Sequence, residues 1–105
     1  IWFDFETLCA GNRSQNDYLE IAREHHTLLL SRVPKMSAGM ASEARRFTWL
    51  IDVLYDHRVK LVISAECEAY DLYREGHNAN EFQRTVSRLI EMRSRDYLAE
   101  AHRVD

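Results

Sequence analysis

The sequence predicts an α/β fold, in which a partial parallel sheet is flanked by helices. Residues 26–33 and 59–65 are short, apolar runs with the length and composition of buried strands. Between them, residues 43–57 place apolar side chains at helical spacing. A strand, a helix and a strand in this order form a βαβ unit, whose right-handed crossover makes the two strands parallel.

The first third of the chain adds one strand and one helix to this unit. Residues 2–5 alternate aromatic and acidic side chains, as a half-buried strand does. A helix over residues 15–24 follows Ser14, which is an N-cap residue type with Asp17 three positions on in a capping-box arrangement. The strand at 26–33 then closes on Pro34, the only proline.

The remaining helices are predicted from their apolar stripes and caps. Ser42 is placed to cap the helix at 43–57, and a short helix is expected over 69–74. The final helix, 81–98, has Asn80 and Gln83 in capping-box positions and an apolar stripe of Phe82, Val86, Leu89, Ile90 and Tyr97. With helices on both sides of the sheet, the arrangement would have three layers.

Composition bounds the function. A chain of 105 residues with 46% hydrophobic and 30% charged residues is expected to form a single α/β region over 1–105. The net charge of −3 gives no reason to expect nucleic acid. No 18-residue apolar run and no secretory segment is present, and Cys9 and Cys67 are expected to be free thiols in a reducing compartment. The start at Ile1 is expected of a piece of a larger protein.

Nucleotide and metal motifs are missing from the sequence. Gly11, Gly39 and Gly76 are isolated, and none precedes the Lys-Ser/Thr pair of a phosphate-binding loop. His25 and His26 face different ways at the junction between a helix and a strand, and nothing in the sequence places further ligands near them. We therefore expect no metal site.

Two further pairs of polar side chains give only weak signals for catalysis. Asp52 and Asp56 lie one turn apart on a helix, where solvated or capping roles are expected. Ser64 and Glu66 follow a strand at the edge where open parallel sheets bind ligands, but VISAE lacks the glycines of a nucleophile elbow.

Arginines are the most distinctive feature of the chain. The stretch EFQRTVSRLIEMRSRDYL contains four of them, and Arg84 and Arg88 share one helix face. They could bind an anion, or Arg88 could pair with Glu91 and Glu91 with Arg95 along a solvated helix surface. A second pair, Arg45 and Arg46, opens a helix at its positive end, where cations are unfavourable unless an anion is met.

Several motifs together carry a family resemblance. EARRFTWLIDVLYDHRVKLVISAE, then LY, then EFQRTVSRLIEMRSRDYL resemble the C-terminal region of the ZapE-type, AFG-like P-loop ATPases of bacterial cell division and their mitochondrial relatives. WFDFETLC and DYLEIAREHHTLLLSRVP are similar to the stretches that precede it in that family. The resemblance covers essentially all 105 residues, whereas the nucleotide-binding motifs of the family would lie upstream.

The resemblance implies an AAA+ type ATPase that uses ATP with Mg²⁺, of which this chain is the C-terminal portion. Without a Walker A motif, the piece alone is expected to be inactive and to hold no cofactor. Arg84 or Arg88 is implied as a phosphate contact, because ATPases of this type commonly place such an arginine on a C-terminal helix. Arg45 or Arg46 is the candidate for an arginine supplied to a neighbouring subunit.

The resemblance also implies a setting: remodelling of a protein partner, the FtsZ ring, in the cytoplasm, with a mitochondrial location as the alternative. An arginine that acts between subunits further implies a homo-oligomer. The other function in view is a stand-alone protein-interaction module without nucleotide chemistry, in which the arginines and Trp2, Phe3 and Trp49 serve docking.

Overall fold

The computed structural model describes residues 1–104. The three strands and five helices are, in chain order, β1 (Trp2–Asp4), α1 (Phe5–Cys9), α2 (Gln15–Glu24), β2 (Thr27–Val33), α3 (Ala41–Asp56), β3 (Lys60–Ala65), α4 (Phe82–Glu91) and α5 (Arg95–Ala99). Short 3₁₀ turns, Ala38–Met40 and Ala69–Asp71, precede α3 and follow β3. None of the helices in the described part of the chain is long and apolar enough to cross a membrane.

The sheet has the order β1-β2-β3, and both neighbouring pairs are parallel. This confirms the α/β class and the βαβ unit formed by β2, α3 and β3. In the register, Trp2 lies beside Leu29, and Leu29 lies beside Val62. Side chains alternate across a strand, so these three residues form one row on one face of the sheet.

The core lies on the opposite face of the sheet. Leu28 and Leu30 of β2 are fully buried there, against an apolar cluster contributed mainly by α1 to α4, including Phe5, Leu8, Tyr18, Phe47, Leu50, Ile51, Leu54 and Val86. On the other face, the row of Trp2, Leu29 and Val62 is 68%, 43% and 58% exposed. The described residues therefore form two layers, and the three-layer arrangement expected from the sequence is not completed within them.

Three predicted elements differ most from the structure, and the first is the short helix expected over 69–74, which is only the 3₁₀ turn Ala69–Asp71. Phe5 was expected in the first strand, but it begins α1, because its ring turns into the core and lies 6.0 Å from the ring of Phe47. The helix expected over 81–98 is two helices, with a break after Glu91. Ser94 caps the second helix by accepting a hydrogen bond from the Tyr97 amide at 3.1 Å.

Of the three predicted caps, only the one at α2 forms. The Asp17 carboxylate accepts the Ser14 amide at 2.8 Å. Ser42 lies inside α3, because the preceding 3₁₀ turn runs directly into the helix at Ala41. Asn80 and Gln83 are joined through their backbones, with the Gln83 amide on the Asn80 carbonyl at 3.2 Å, and α4 has no side-chain cap.

Candidate functional site

The two arginines predicted to read phosphate occupy different environments on α4. The apolar face of this helix, with Phe82, Val86 and Leu89, packs into the core. Arg84 is exposed, and its side chain makes no hydrogen bond or ion pair with any other described residue. Arg88 lies one turn later at the contact between α3 and α4, and its side chain is only 19% exposed.

Arg88 is held by two residues of α3. Its Nη1 forms an ion pair with Oδ1 of Asp52, whose side chain is 34% exposed. Its guanidinium also lies over the ring of Tyr55, 4.9 Å from the ring centroid. A carboxylate therefore fixes one end of the guanidinium and an aromatic ring covers one of its faces.

Tyr55 is itself anchored to α4. Its hydroxyl donates a 2.6 Å hydrogen bond to Oε2 of Glu91, and this bond is the main cause of the raised pKa of Tyr55. Contacts between α3 and α4 therefore recur every turn: Thr85 donates to Thr48 at 3.2 Å, Asp52 pairs with Arg88, and Tyr55 bonds Glu91. Each pair is 36 or 37 residues apart, so the two helices run in the same direction.

These contacts replace those that helical spacing suggested. Neither the Arg88 to Glu91 pair nor the Glu91 to Arg95 pair is among the ion pairs of the described residues. Asp52 was expected in a solvated or capping role, and this was wrong, since its carboxylate binds Arg88. Asp56, one turn later, is exposed as expected.

Arg45 and Arg46 diverge from the same helix. Arg46 is half-buried, and its Nη1 donates to the carbonyl of Cys9 at 3.3 Å, which ties α3 to α1. Arg45 is exposed and stacks on Trp49, with its guanidinium carbon 5.3 Å from the ring centroid. Arg45 also lines a cavity of about 550 Å³ between the first half of α3 and the loop that leads to α4.

Arg45 and Asp52 lie on the same stripe of α3, seven residues or about two turns apart. The cavity beside Arg45 is bounded on the other side by Glu81 and Phe82 at the start of α4. The structure therefore places Arg45 and Arg88 along one seam between α3 and α4. The sequence predicted both arginines but offered no signal for the cavity.

The other sequence candidates do not assemble into a site. His26 Nδ1 lies 2.8 Å from the Thr27 hydroxyl, and within residues 1–104 no group of three or more His, Cys, Asp or Glu side chains could hold a metal ion. Glu66 accepts the Lys35 amide at 3.1 Å and so joins the loops after β2 and β3. Ser64 is exposed.

One further cluster was missed by the sequence analysis. Arg58 has a φ of +57° and lies 4.8 Å from the ring centroid of Tyr55 and 5.7 Å from that of Tyr97. It pairs with Glu100, and this bond is the main cause of its raised pKa. Tyr55 is thus contacted by both Arg58 and Arg88. These residues come from α3, from the segment before β3 and from α4, and the spacing of residues within one helix does not predict such a contact.

Comparison with known proteins identifies the family. The model of the AFG1-like ATPase family matches residues 1–101. The cell division protein ZapE of Escherichia coli K12 is 49% identical over 98 residues, which are 93% of this chain and 26% of that protein. No solved structure matches.

Two eukaryotic relatives agree with this match. Lactation elevated protein 1 homolog B of Danio rerio is 34% identical over 125 residues, covering 89% of this chain and 25% of that protein. A Schizosaccharomyces pombe protein, C115.02c, is 39% identical over 72 residues, covering 69% of this chain and 16% of its own length. The chain thus spans about a quarter or less of these relatives. It belongs to the AFG1-like ATPase family.

Proposed function

We propose that these residues are part of an ATP-hydrolysing protein in which Arg88 contacts a phosphate group of bound ATP. The main observation that supports this proposal is the fixed position of Arg88, whose guanidinium is held between the Asp52 carboxylate and the Tyr55 ring. A guanidinium keeps its charge at any working pH and matches phosphate oxygens in a planar fork. Arg84 is the second candidate, but nothing in residues 1–104 holds its side chain in place.

The residues fit one part of a nucleotide site. Arg88 and Arg45 would supply cationic donors between α3 and α4. We propose that the glycine-rich loop that binds the phosphates is supplied from outside these residues. ATP with Mg²⁺ is the expected cofactor, since hydrolysis by ATPases of this type needs the metal to neutralise phosphate charge. We assign no Mg²⁺ ligand to residues 1–104.

Arg45 is better placed than Arg46 to reach the nucleotide of a neighbouring subunit. Arg45 is exposed and stacked on Trp49, whereas Arg46 is already engaged with the Cys9 carbonyl. A role of this kind requires a homo-oligomer. We further propose that hydrolysis remodels a protein partner in the cytoplasm, with the FtsZ ring as the candidate, because a close relative carries the name of a cell division protein.

A protein-interaction module without nucleotide chemistry is the alternative. It is favoured by one observation, the exposed row of Trp2, Leu29 and Val62 on the open face of the sheet. Apolar side chains that are contiguous and solvent-exposed commonly mark contact surfaces. ATP hydrolysis by the full natural chain distinguishes the two functions.

The test uses three single variants in that full chain: Arg88→Ala, Arg84→Ala and Arg93→Ala. Removing a phosphate contact takes away a charge-assisted hydrogen bond of roughly 1.5–3 kcal/mol, so we expect Arg88→Ala to lower steady-state kcat/KM at least tenfold. Arg93 is exposed after the end of α4 and is the control, which should keep wild-type turnover.

Thermal melts confirm that each variant is folded, and the 105-residue chain alone serves as an inactive reference. A loss with Arg84→Ala instead of Arg88→Ala would move the phosphate contact one turn along the helix. Wild-type turnover in both would remove the phosphate role, and an inactive wild-type full chain would favour the interaction module.

A further inference from the structure

The side chains around Arg88 form a small, closed set that links two helices. Asp52 and Tyr55 project from α3 one turn apart and reach the same guanidinium. Tyr55 is fixed in turn by its 2.6 Å hydrogen bond to Glu91, which lies one turn after Arg88 on α4. The guanidinium is therefore restrained by two helices at once, and its four-bond stem has little freedom left.

This restraint does not exhaust the hydrogen-bonding capacity of Arg88. A guanidinium has five N–H donors, and Asp52 engages only Nη1. Within residues 1–104, Nε and Nη2 of Arg88 make no hydrogen bond. An anion could bind through these donors while the Asp52 carboxylate keeps its place.

The Asp52 carboxylate makes no hydrogen bond or ion pair with any described residue other than Arg88. Asp52 makes no second ion pair within the described residues, and it is not in the first or last turn of α3, where a capping role would place it. Asp56, four residues on, is exposed and makes no such contact. The position of Asp52 is thus explained by Arg88 alone.

We infer that Asp52 is a positioning residue: it orients the Arg88 guanidinium, with the support of Tyr55, so that the free donors meet a phosphate of ATP. This inference rests on the proposed phosphate contact of Arg88. Groups held in their working geometry before reaction lose less freedom when they act. The competing reading is that the Asp52 pair merely clamps α3 to α4.

The experiment compares Asp52→Asn with Asp56→Asn in the full natural chain. Asparagine keeps the shape of the side chain but removes the charge that holds Arg88. Because a misplaced catalytic group costs up to about 100-fold in rate, we expect Asp52→Asn to lower kcat by between about 10- and 100-fold, with a much smaller change in KM. Asp56→Asn should retain wild-type kcat.

Non-additivity in kcat, taken together with the melting temperature, separates positioning from clamping. If Asp52 acts through Arg88, Asp52→Asn in an Arg88→Ala background should cause no further loss of kcat. A clamp would also be non-additive, because Arg88→Ala already breaks the pair, but the loss of kcat would then be accompanied by a lower melting temperature in Asp52→Asn and in Arg88→Ala. Positioning leaves both melting temperatures close to that of the unchanged chain. Asp52→Glu, which restores the carboxylate, should recover part of the lost kcat.

Each remaining outcome is decisive. If Arg88→Ala lowers kcat and folded Asp52→Asn does not, the positioning role is wrong while the phosphate contact stands. If Arg88→Ala leaves kcat unchanged, both are wrong. Should Asp52→Asn fail to fold, Asp52→Ser takes its place, since it also removes the carboxylate that holds Arg88, and unchanged kcat in the folded variant would overturn the inference.

Discussion

At the scale of single residues, the buried thiol of Cys9 makes stability depend on alkaline pH. Cys9 is fully buried, and burial raises its pKa from an ordinary 9.0 to about 12. Burial also raises the pKa of Tyr18, whose hydroxyl donates a 2.5 Å hydrogen bond to the Leu8 carbonyl. The folded chain therefore keeps protons that the unfolded chain releases.

The sign of the effect follows from this difference in proton binding. Below pH 9 both states hold the Cys9 proton, and its contribution to stability is fully present. As the pH rises from 9 toward 12, the unfolded state gains by ionising and the contribution is lost, by up to about 1.4 kcal/mol per pH unit for one group.

We predict that Cys9→Ala flattens the loss of stability above pH 9. Urea unfolding at pH 8, 9 and 10 should show a smaller decrease in unfolding free energy for this variant than for the unchanged chain. Cys67→Ala is the control and should flatten the loss less, since Cys67 is only half-buried and burial raises its pKa less than that of Cys9. Equal slopes for the Cys9 variant and the unchanged chain would contradict the assignment.

For single residues, the sequence predicted which face of a helix a side chain lies on, but it did not predict which side chain of the neighbouring helix it contacts. Helical spacing correctly placed Arg84 and Arg88 on α4, and it suggested Glu91 as a partner for Arg88. The partner is Asp52, 36 residues away. Which of two carboxylates an arginine meets depends on how two helices pack, and periodicity within one helix contains no information on that.

At the scale of elements, caps were predictable only where the chain enters a helix from an extended segment. Ser14 is extended, so its amide is left without a helical partner and the Asp17 carboxylate accepts it. At α3 and α4 the preceding residues already turn: Met40 donates its amide to Ser37, and Phe82 donates its amide to Asn78. Ser42 and Asn80 therefore had fewer orphan groups to cap.

The cap of α2 gives a prediction at this scale. Asp17→Ala removes the acceptor of the Ser14 amide and an acidic side chain from the positive end of the helix. We expect a loss of about 0.5–1.5 kcal/mol in unfolding free energy, measured by urea denaturation at neutral pH.

Glu20→Ala provides the control, because Glu20 is an exposed carboxylate on the same helix beyond its first turn. This change should alter stability by less than about 0.5 kcal/mol. If the two variants lose the same stability, the capping contact contributes nothing beyond general surface charge.

At the scale of the whole molecule, the order of elements was predictable and the covering of the sheet was not. Two successive right-handed crossovers that move in one direction along a sheet place their helices on the same face. The apolar runs at β2 and β3 suggested strands buried on both faces. In the described residues only one face is covered, and Leu29 and Val62 remain exposed on the other.

An uncovered face on a parallel sheet is unusual, because such sheets normally have helices on both sides. The exposed row runs straight across all three strands, from Trp2 through Leu29 to Val62, with the Trp2 indole N–H bonded to the Ser31 hydroxyl at 2.9 Å. The outer edges of β1 and β3 are also unpaired within the described residues. Both features favour association with another chain.

We predict that the 105-residue chain by itself associates through this face at tens of micromolar, an order of magnitude typical of a weak contact. Sedimentation velocity should show a weight-average mass that rises with concentration. Val62→Lys places a charge in the middle of the row and should return the chain to a monomer. Tyr70→Lys is the matched control: Tyr70 is equally exposed, at 62%, but lies in the 3₁₀ turn after β3. Because both variants add the same charge, a monomer produced by Tyr70→Lys as well as by Val62→Lys would implicate general repulsion instead of the row. A monomeric unchanged chain would mean that this face is stable in water without a partner.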